Sequence, residues 1–302
     1  MYRGRFAPSP TGPLHFGSLI AAVASYLEAH VHQGQWLLRM EDLDQPREVP
    51  GAADDILRTL EAFHFEWHGE IVYQSRRGEA YQAALQQLQD KGLVYPCACS
   101  RKEIADSALH NPAPHGLDGL IYPGTCRQGL PPGKTPRAWR IRTHDEIIAF
   151  DDAIQGSFRH DLSREVGDFV LKRADGFFAY QLAVVVDDAE QNITDVVRGA
   201  DLLDSTSRQI YLQQMLGYST PGYTHVPAAT NQHGEKLSKQ TLAPPLDKLN
   251  PHKDLWHALH FLGQQPPAGL QQSPITELWE WAKLHWQSGR IPRTRFKEFT
   301  EP

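Results

Sequence analysis

Short apolar runs alternate with longer helical patterns at the start of the sequence, and this alternation restricts the possible folds more than any other feature. It predicts strands at residues 3–7 and 35–41 and helices at residues 18–32, 51–63 and 76–91. Strands that alternate with crossover helices pair in parallel, because each helix returns the chain to the edge where the previous strand began. We therefore expect a doubly wound, Rossmann-like α/β sheet.

The pattern changes at residue 95, where cysteines and closely spaced prolines appear and the helical periodicity fades. We expect residues 95–175 to be a subdomain inserted into the sheet domain, which would comprise residues 1–94 and 176–240. Residues 241–302 are expected to form a short helical C-terminal region. The elements predicted after the insertion are strands at 180–186 and 195–197 and helices at 205–216, 253–262 and 275–286.

The composition is that of a globular protein expected in the cytoplasm. The chain of 302 residues is 40% hydrophobic, enough for a sizeable core, and it carries no apolar run typical of a signal peptide or membrane span. A formal net charge of −6 argues against coating nucleic acid through bulk positive charge, so phosphate-binding charge must be local. Three cysteines do not suit the paired disulfides of a secreted scaffold.

A glycine-containing turn joins the first predicted strand to the first predicted helix. Unpaired backbone N–H groups and the helix dipole attract anions at such a junction, so a phosphate chain fits there. Gly17 allows close backbone approach, and His15 can donate to a phosphate oxygen. Late in the chain, Lys236 and Lys239 are three residues apart on a predicted loop and can flank one polyanion.

Taken together and in this order, the two segments resemble the HIGH and KMSKS signatures of class I aminoacyl-tRNA synthetases. The sequence departs from these signatures at Ser18, Leu237 and Gln240. The resemblance implies a Rossmann-like synthetase core that uses ATP with Mg²⁺. It further implies that His15, Gly17, Ser18 and Lys239 bind ATP, and that His15, Lys236 and Lys239 are catalytic.

The resemblance narrows to the glutamyl branch of that family. The matching segments are residues 5–12, 38–44, 180–183 and 197–201. A substrate with a side-chain carboxylate and an α-ammonium group needs a guanidinium for the first and a carboxylate for the second. The resemblance implies that Arg5 holds the glutamate side chain, Ala7 and Ser9 line the pocket, Glu41 meets the α-ammonium, and Tyr180 and Arg198 close the pocket.

The cysteines of the predicted insertion are candidates for a metal site. Cys97, Cys99 and Cys126, with Tyr122, resemble the zinc site of some glutamyl-type synthetases, and zinc takes four ligands. The fourth ligand could be Tyr122, His115 or water, and three buried thiols without metal are the alternative. Basic residues between 127 and 142 could face RNA phosphates or could be a solvated basic surface.

The 63 residues that follow Lys239 are too few for a further domain of ordinary size. In this respect the chain resembles a truncated paralogue of the glutamyl branch, which implies that residues 241–302 contain no anticodon-binding domain. That paralogue transfers glutamate to the queuosine base at the wobble position of tRNA(Asp), so the expected partners are L-glutamate, ATP and queuosine-containing tRNA(Asp). The alternatives are a glutamyl-tRNA synthetase-like enzyme acting at a tRNA 3′ end, a non-tRNA nucleotidyltransferase of the same fold, and an inactive RNA-binding module.

Overall fold

The computed structural model describes residues 1–110, 115–117, 119–237 and 244–300. Its strands are β1 (Arg3–Phe6), β2 (Gln35–Met40), β3 (Val72–Tyr73), β4 (Val94–Cys97), β5 (His115–Gly116), β6 (Gly119–Leu120), β7 (Ala138–Ile141), β8 (Ile147–Asp152), β9 (Gly156–Asp161), β10 (Val170–Lys172), β11 (Asp195–Gly199), β12 (Gly222–Val226), β13 (Ala228–Thr230) and β14 (Phe296–Glu298). Its α-helices are α1 (Phe16–Val31), α2 (Ala52–Ala62), α3 (Gly78–Asp90), α4 (Arg101–His110), α5 (Tyr180–Glu190), α6 (Thr206–Leu216), α7 (Pro251–Phe261) and α8 (Ile275–His285).

The central strands form the parallel sheet that the alternating pattern predicts. β1 pairs in parallel with β2, and β2 pairs in parallel with β3. On the other side of β1 lies β11, where the Thr194 N–H donates to the Arg3 carbonyl at 2.9 Å. β11 pairs in parallel with β12. The strands lie in the order 3-2-1-11-12, and successive strands are added on one side of β1 first and on its other side later in the chain. The crevice between β1 and β11 is therefore the topological switch point, which is the expected ligand site of a doubly wound sheet.

Helix α1 is the centre of the larger hydrophobic core. It packs against β1, β11, α7 and α8, and its residues from Leu19 to Ala29 are almost all buried. The core includes Trp36 of β2, Phe63 after α2 and Trp279 of α8. The two helices predicted in the C-terminal region are therefore present and cover the same face of the sheet as α1.

The strand predicted at residues 180–186 is wrong, because these residues form the first part of helix α5. All residues from Leu182 to Asp188 are buried, so the helix is covered on every side by α3, α6 and the sheet. A helix that is buried on all sides has no polar face in its sequence. Its short run of valines then has the same sequence pattern as a buried β-strand.

The middle of the chain forms antiparallel structure. β7 pairs with β4 and β10 to give a three-stranded sheet, while β8 and β9 form a hairpin. β8 also pairs in parallel with β12 through Asp152 and Tyr223, so this hairpin extends the central sheet. The boundaries of the predicted insertion, residues 95–175, stay a prediction.

The short strand β14 was not predicted, because three residues carry too little pattern. It pairs in parallel with β13, whose last residue lies six positions before Lys236. Among the described residues, no helix is both long enough and apolar enough to cross a membrane.

Candidate active site and metal site

The N-terminus of α1 opens into a cleft of about 550 Å³. His15 is the N-cap residue of the helix, and its Nδ1 accepts a hydrogen bond from the Ser18 backbone N–H at 3.3 Å. The Ser18 hydroxyl lies 3.2 Å from His15 Nε2. His15, Gly17 and Ser18 therefore line the cleft together, with the positive end of the helix dipole facing it.

The lysine segment, residues 236–240, reaches the same cleft through its first two residues. Lys236 and Leu237 both line it, and the Leu237 N–H donates to the Ala229 carbonyl at 2.7 Å. A β-carbon at Gly17 would lie 3.0 Å from the Leu237 carbonyl oxygen and 3.1 Å from the His15 ring, so any larger residue would have to displace one of them. Lys236 Nζ pairs with Asp201 at 2.5 Å. Ser238, Lys239 and Gln240 lie outside the described residues.

A second cavity, of about 320 Å³, adjoins the cleft. Its lining includes Glu41 and Tyr180, two of the residues expected to contact an amino acid. Ala7, Ser9 and Leu202 line both spaces, so the two lie next to each other. A ligand with a polyphosphate part and an amino-acid part could therefore occupy both at once.

Arg5 lies behind the wall of the second cavity and is almost completely buried. Its Nε and Nη2 atoms donate to Asp188 of α5 at 3.1 and 3.4 Å. Asp188 also accepts from the buried Arg39 at 2.8 Å. Among the described residues, Arg5 Nη1 makes no hydrogen bond, so this nitrogen is the part of Arg5 that can reach a ligand.

Glu41 lies at the edge of the same group of charges. Its carboxylate is 3.5 Å from Arg39 Nη2, and 11% of its side chain is exposed. Burial raises the pKa of Glu41 to about 7, although Arg39 and Arg5 favour its ionised form. Binding of a cation at Glu41 would remove this penalty, because an opposite charge stabilises the carboxylate.

Tyr180 at the start of α5 lines the second cavity, and Arg198 of β11 is buried behind it and lines neither cavity. Arg198 Nη1 lies 3.5 Å from the Tyr180 hydroxyl. Burial raises the pKa of Tyr180, against the influence of Arg198. The phenol therefore stays protonated at neutral pH and can donate to a ligand carboxylate.

The three cysteines converge as the sequence predicts for a metal site. The Sγ atoms of Cys97, Cys99 and Cys126 all lie within 4.8 Å of one another, and those of Cys99 and Cys126 are 3.6 Å apart. Tetrahedral zinc with bonds of about 2.3 Å to sulfur separates its ligands by about 3.8 Å. The Tyr122 hydroxyl lies 3.4 Å from both Cys97 Sγ and Cys99 Sγ. The donor set therefore fits zinc.

The surroundings of the cysteines favour the anionic form of Cys97. The Arg140 guanidinium stacks 4.0 Å above the Tyr122 ring and donates to Cys97 Sγ at 3.4 Å, and hydrogen bonds from Tyr122 and Arg140 lower the pKa of Cys97 against the effect of burial. Burial raises the pKa of Cys99 to about 11 and raises that of Tyr122, so a metal ion would have to supply the charge that ionises them. The side chain of His115, the other candidate for the fourth ligand, lies outside the described residues.

The basic residues near the cysteines are largely used within the protein. Arg142 stacks on Tyr95 at 4.6 Å, Arg127 pairs with Asp168 at 3.3 Å, and Lys134 pairs with Glu103 at 2.9 Å. These contacts explain the basic segment without RNA. An RNA-facing role for it stays a prediction.

Several residues of the site escaped the sequence analysis. Asp187 and Asp188 were hidden because residues 180–186 were predicted to be a strand, although two adjacent acids after an apolar run are unusual in a core. Asp152 and His225, which lie behind Arg198, are more than 70 residues apart in the chain and share no pattern. Only the three-dimensional fold brings them together.

The fold and site define a class I nucleotide-activating enzyme, and comparison with known proteins gives its family. The family model for class I tRNA synthetases (E and Q), catalytic domain, matches residues 1–250. The chain belongs to this family and is an enzyme of the ligase class.

Two relatives and one solved structure illustrate the similarity. The chain is 61% identical to the glutamyl-Q tRNA(Asp) synthetase of Dechloromonas aromatica over 293 residues, which cover 97% of this chain and 96% of the relative. It is 60% identical to the protein of the same name from Chromobacterium violaceum over 292 residues, which cover 97% of this chain and 96% of the relative. The crystal structure of glutamate-tRNA synthetase from Elizabethkingia anophelis superimposes with a TM-score of 0.80 at 25% identity, covering 99% of this chain and 68% of that chain.

Proposed function

We propose that this enzyme activates L-glutamate with ATP and transfers the glutamyl group to the queuosine base at the wobble position of tRNA(Asp). The observation that carries the first step is that the two cavities lie side by side and share Ala7, Ser9 and Leu202 in their walls. The names of the relatives in Dechloromonas aromatica and Chromobacterium violaceum support the choice of acceptor.

In the first step the α-carboxylate of glutamate attacks the α-phosphorus of ATP. A P–O bond to the carboxylate forms, and the bond to the leaving pyrophosphate breaks, which yields glutamyl-AMP. His15 and the N–H groups at the start of α1 stabilise the charge that grows on the phosphate oxygens. Mg²⁺ bound to the ATP phosphates would neutralise part of their charge. Lys236, and Lys239 from the adjoining segment, act on the leaving pyrophosphate.

The second cavity selects glutamate by charge. Arg5 Nη1 and Arg198 face the side-chain carboxylate, while Glu41 pairs with the α-ammonium group. The phenol of Tyr180 donates a further hydrogen bond. A neutral amide in place of the carboxylate would direct its own N–H donors at two guanidinium groups that can only donate, so glutamine is rejected.

In the second step a hydroxyl of the queuosine cyclopentenediol attacks the carbonyl carbon of glutamyl-AMP. An ester bond forms, AMP leaves, and the hydroxyl proton passes to AMP or solvent. Because the mixed anhydride is already activated, positioning of the hydroxyl supplies most of the acceleration.

Zinc is part of the proposal as a structural ion. Cys97, Cys99 and Cys126 would hold it with Tyr122 as the fourth ligand, and a closed four-ligand site stabilises the local fold. It would tie β4 to the loop that carries Tyr122 and Cys126. We also propose that residues 95–175 form the subdomain that meets the acceptor RNA, that residues 1–94 and 176–240 are the catalytic domain, and that the reaction takes place in the cytoplasm.

Exchange of labelled pyrophosphate into ATP tests the first step. We expect exchange with glutamate and none with glutamine, aspartate or any other amino acid in the panel. Transfer of labelled glutamate to tRNA then tests the second step, with queuosine-containing tRNA(Asp), queuosine-free tRNA(Asp) and tRNA(Glu). Product on tRNA(Glu) alone would assign the protein to 3′-end charging, and exchange without glutamate would contradict the proposed substrate.

A further inference from the structure

The guanidinium of Arg198 has an acceptor near every one of its N–H groups. Nε donates to His225 Nε2 at 2.9 Å, Nη1 to Gln209 at 2.7 Å and Nη2 to Thr206 at 3.0 Å. Two further contacts are long, at 3.5 Å from Nη1 to the Tyr180 hydroxyl and 3.4 Å from Nη2 to the Leu202 carbonyl. The three short bonds hold Arg198, and the two long ones are weak.

The two weak contacts lead to residues that line the amino-acid cavity. Tyr180 and Leu202 both belong to its wall, whereas His225, Gln209 and Thr206 do not. One N–H of each terminal nitrogen of Arg198 therefore points to a residue of the cavity wall. Two parallel N–H groups from the two ends of a guanidinium form the fork that binds a carboxylate bidentately.

Behind Arg198 lies a fully buried acid and histidine pair. His225 Nδ1 is 2.6 Å from Asp152 Oδ2, and both side chains have no exposed surface. Asp152 Oδ1 also accepts the backbone N–H groups of Ile154 and Gln155 at 3.0 and 2.8 Å, which fixes the carboxylate at the β8–β9 turn. The turn thus holds Asp152, Asp152 orients His225, and His225 orients Arg198.

The chain of donors and acceptors defines one tautomer of His225. A carboxylate can only accept, so Nδ1 carries the hydrogen, and Nε2 must then be the acceptor for Arg198 Nε–H. Burial lowers the pKa of His225 to about 4, so the ring stays neutral. A hydrogen on Nε2 would oppose the Arg198 N–H and turn the guanidinium away.

We propose that Asp152 and His225 are positioning residues that orient Arg198 for a carboxylate and so set the preference for glutamate over glutamine. The proposal rests on the function proposed above. Asp152 and His225 act through Arg198 and contact no substrate themselves. Their loss should therefore weaken glutamate binding and selectivity while leaving the ATP site intact.

Two substitutions of His225 separate the two ring nitrogens. In His225→Asn the amide can still donate to Asp152 but no longer reaches Arg198, whereas in His225→Gln the side-chain oxygen can still accept from Arg198. We expect His225→Asn to raise the KM for glutamate about tenfold to a hundredfold, since it removes a hydrogen bond to a charged group. We expect His225→Gln to recover most of that loss, and the KM for ATP to stay within about twofold in both.

Asp152→Asn tests the tautomer without deleting the turn. Its Oδ1 can still accept from Ile154 and Gln155, but its amide now donates to His225 Nδ1 and forces the hydrogen onto Nε2. We expect the same selective rise in KM for glutamate as in His225→Asn. Nitrogen-15 NMR of labelled histidine should show hydrogen on Nδ1 in the unsubstituted protein and on Nε2 in this variant.

His160→Asn is the matched control, because His160 is also a buried histidine and bonds to the Ser207 hydroxyl at 2.5 Å. It should lower the melting temperature without changing the ratio of the two KM values. Calorimetric titration with glutamate supplies a readout that does not depend on catalysis.

The outcomes distinguish the positioning role from the proposed reaction. If the unsubstituted protein binds glutamate but catalyses no exchange, the proposed reaction fails and the binding data still judge Asp152 and His225. Unchanged glutamate affinity in His225→Asn, or an equal loss in His160→Asn, would overturn the positioning role. A protein that binds no glutamate at all would overturn both.

Discussion

At the scale of single residues, the site is built from charges that the fold has already removed from water. Arg5, Arg39 and Asp188 are buried together, and each compensates another. Glu41 is the exception, because its pKa remains raised in spite of two nearby arginines. The unliganded site therefore carries an electrostatic penalty that a ligand ammonium group can relieve.

Glu41→Gln should make the free protein more stable at pH 8. The folded pKa of about 7 exceeds the unfolded value of about 4.3, so Glu41 stabilises the fold when protonated and that contribution is lost as pH rises through 7. Removing the charge should add about 2 to 3 kcal/mol to the free energy of unfolding at pH 8. The gain should shrink towards pH 5. Urea denaturation at both pH values measures it, with the exposed Glu61→Gln as control.

The same carboxyl should govern the pH dependence of glutamate use. The ratio kcat/KM for glutamate reports the ionisations of the free enzyme, and only ionised Glu41 can pair with the α-ammonium. At saturating ATP and Mg²⁺ we expect this ratio to rise with pH through an inflection near 7. Glu41→Gln should be low and flat over this range. An unchanged inflection in the variant would assign it to another group.

At the level of secondary-structure elements, the N-terminus of α1 is contacted by two segments that lie far along the chain. The lysine segment touches it at Gly17, and Phe299, just after β14, stacks on Phe16 with ring centroids 3.8 Å apart. The Phe299 N–H also donates to the carbonyl of Thr230 at 2.9 Å, and Thr230 lies six positions before Lys236. Phe299 thus contacts both the first residue of α1 and the last residue of β13.

Gly17→Ala should separate activity from stability. Alanine favours a helix over glycine by up to about 1 kcal/mol, so the fold should not be weakened. The added methyl group would lie 3.0 Å from the Leu237 carbonyl and push the lysine segment outward. We expect the exchange rate to fall about tenfold or more with an unchanged melting temperature. Gly269→Ala, where a methyl group meets no atom within 4 Å, should leave the rate unaltered.

Phe299→Ala should weaken ATP binding more than glutamate binding. Loss of the half-buried ring should cost about 1 to 2 kcal/mol of stability and loosen the lysine segment. We expect the KM for ATP to rise several-fold, measured by pyrophosphate exchange. Phe296 lies in β14, three residues before Phe299, but is 50% exposed, so Phe296→Ala is the control and should change stability by less than about 0.5 kcal/mol. Equal effects of the two substitutions would contradict this role of Phe299.

At the scale of the whole molecule, the sequence predicted the elements that have a period and a boundary signal. The helix beginning after His15 and the strand at Gln35 were found because glycine turns flank regular patterns. Helix α5 was missed because burial on all sides erases its period, and β14 because it is three residues long.

The candidate site divides in the same way. Residues within short motifs, such as Ala7, Ser9 and Glu41, could be named from the sequence and lie around one cavity. Asp188 and His225 could not, because their partners Arg5 and Asp152 are distant in the chain and meet only through the packing of α5 and β12.

Zinc should contribute to the stability of the purified protein. We expect about one zinc ion per chain and a lower melting temperature after chelation, since a structural site adds its binding free energy to folding. Tyr122→Phe should weaken zinc binding at least about tenfold if the phenol is a ligand. Tyr95→Phe removes a buried hydroxyl that bonds to Asp168 at 2.6 Å and should keep its zinc. Metal analysis and thermal melts decide, and zinc retained in Cys126→Ser would contradict the site.

The shared wall at Ala7, Ser9 and Leu202 places the two cavities side by side, which has a consequence for inhibitor design. A compound that joins a glutamyl group to adenosine through an unreactive sulfamoyl bridge would span both compartments as one molecule. Its second half would bind at the high local concentration that tethering creates, so it should hold far more tightly than either fragment alone.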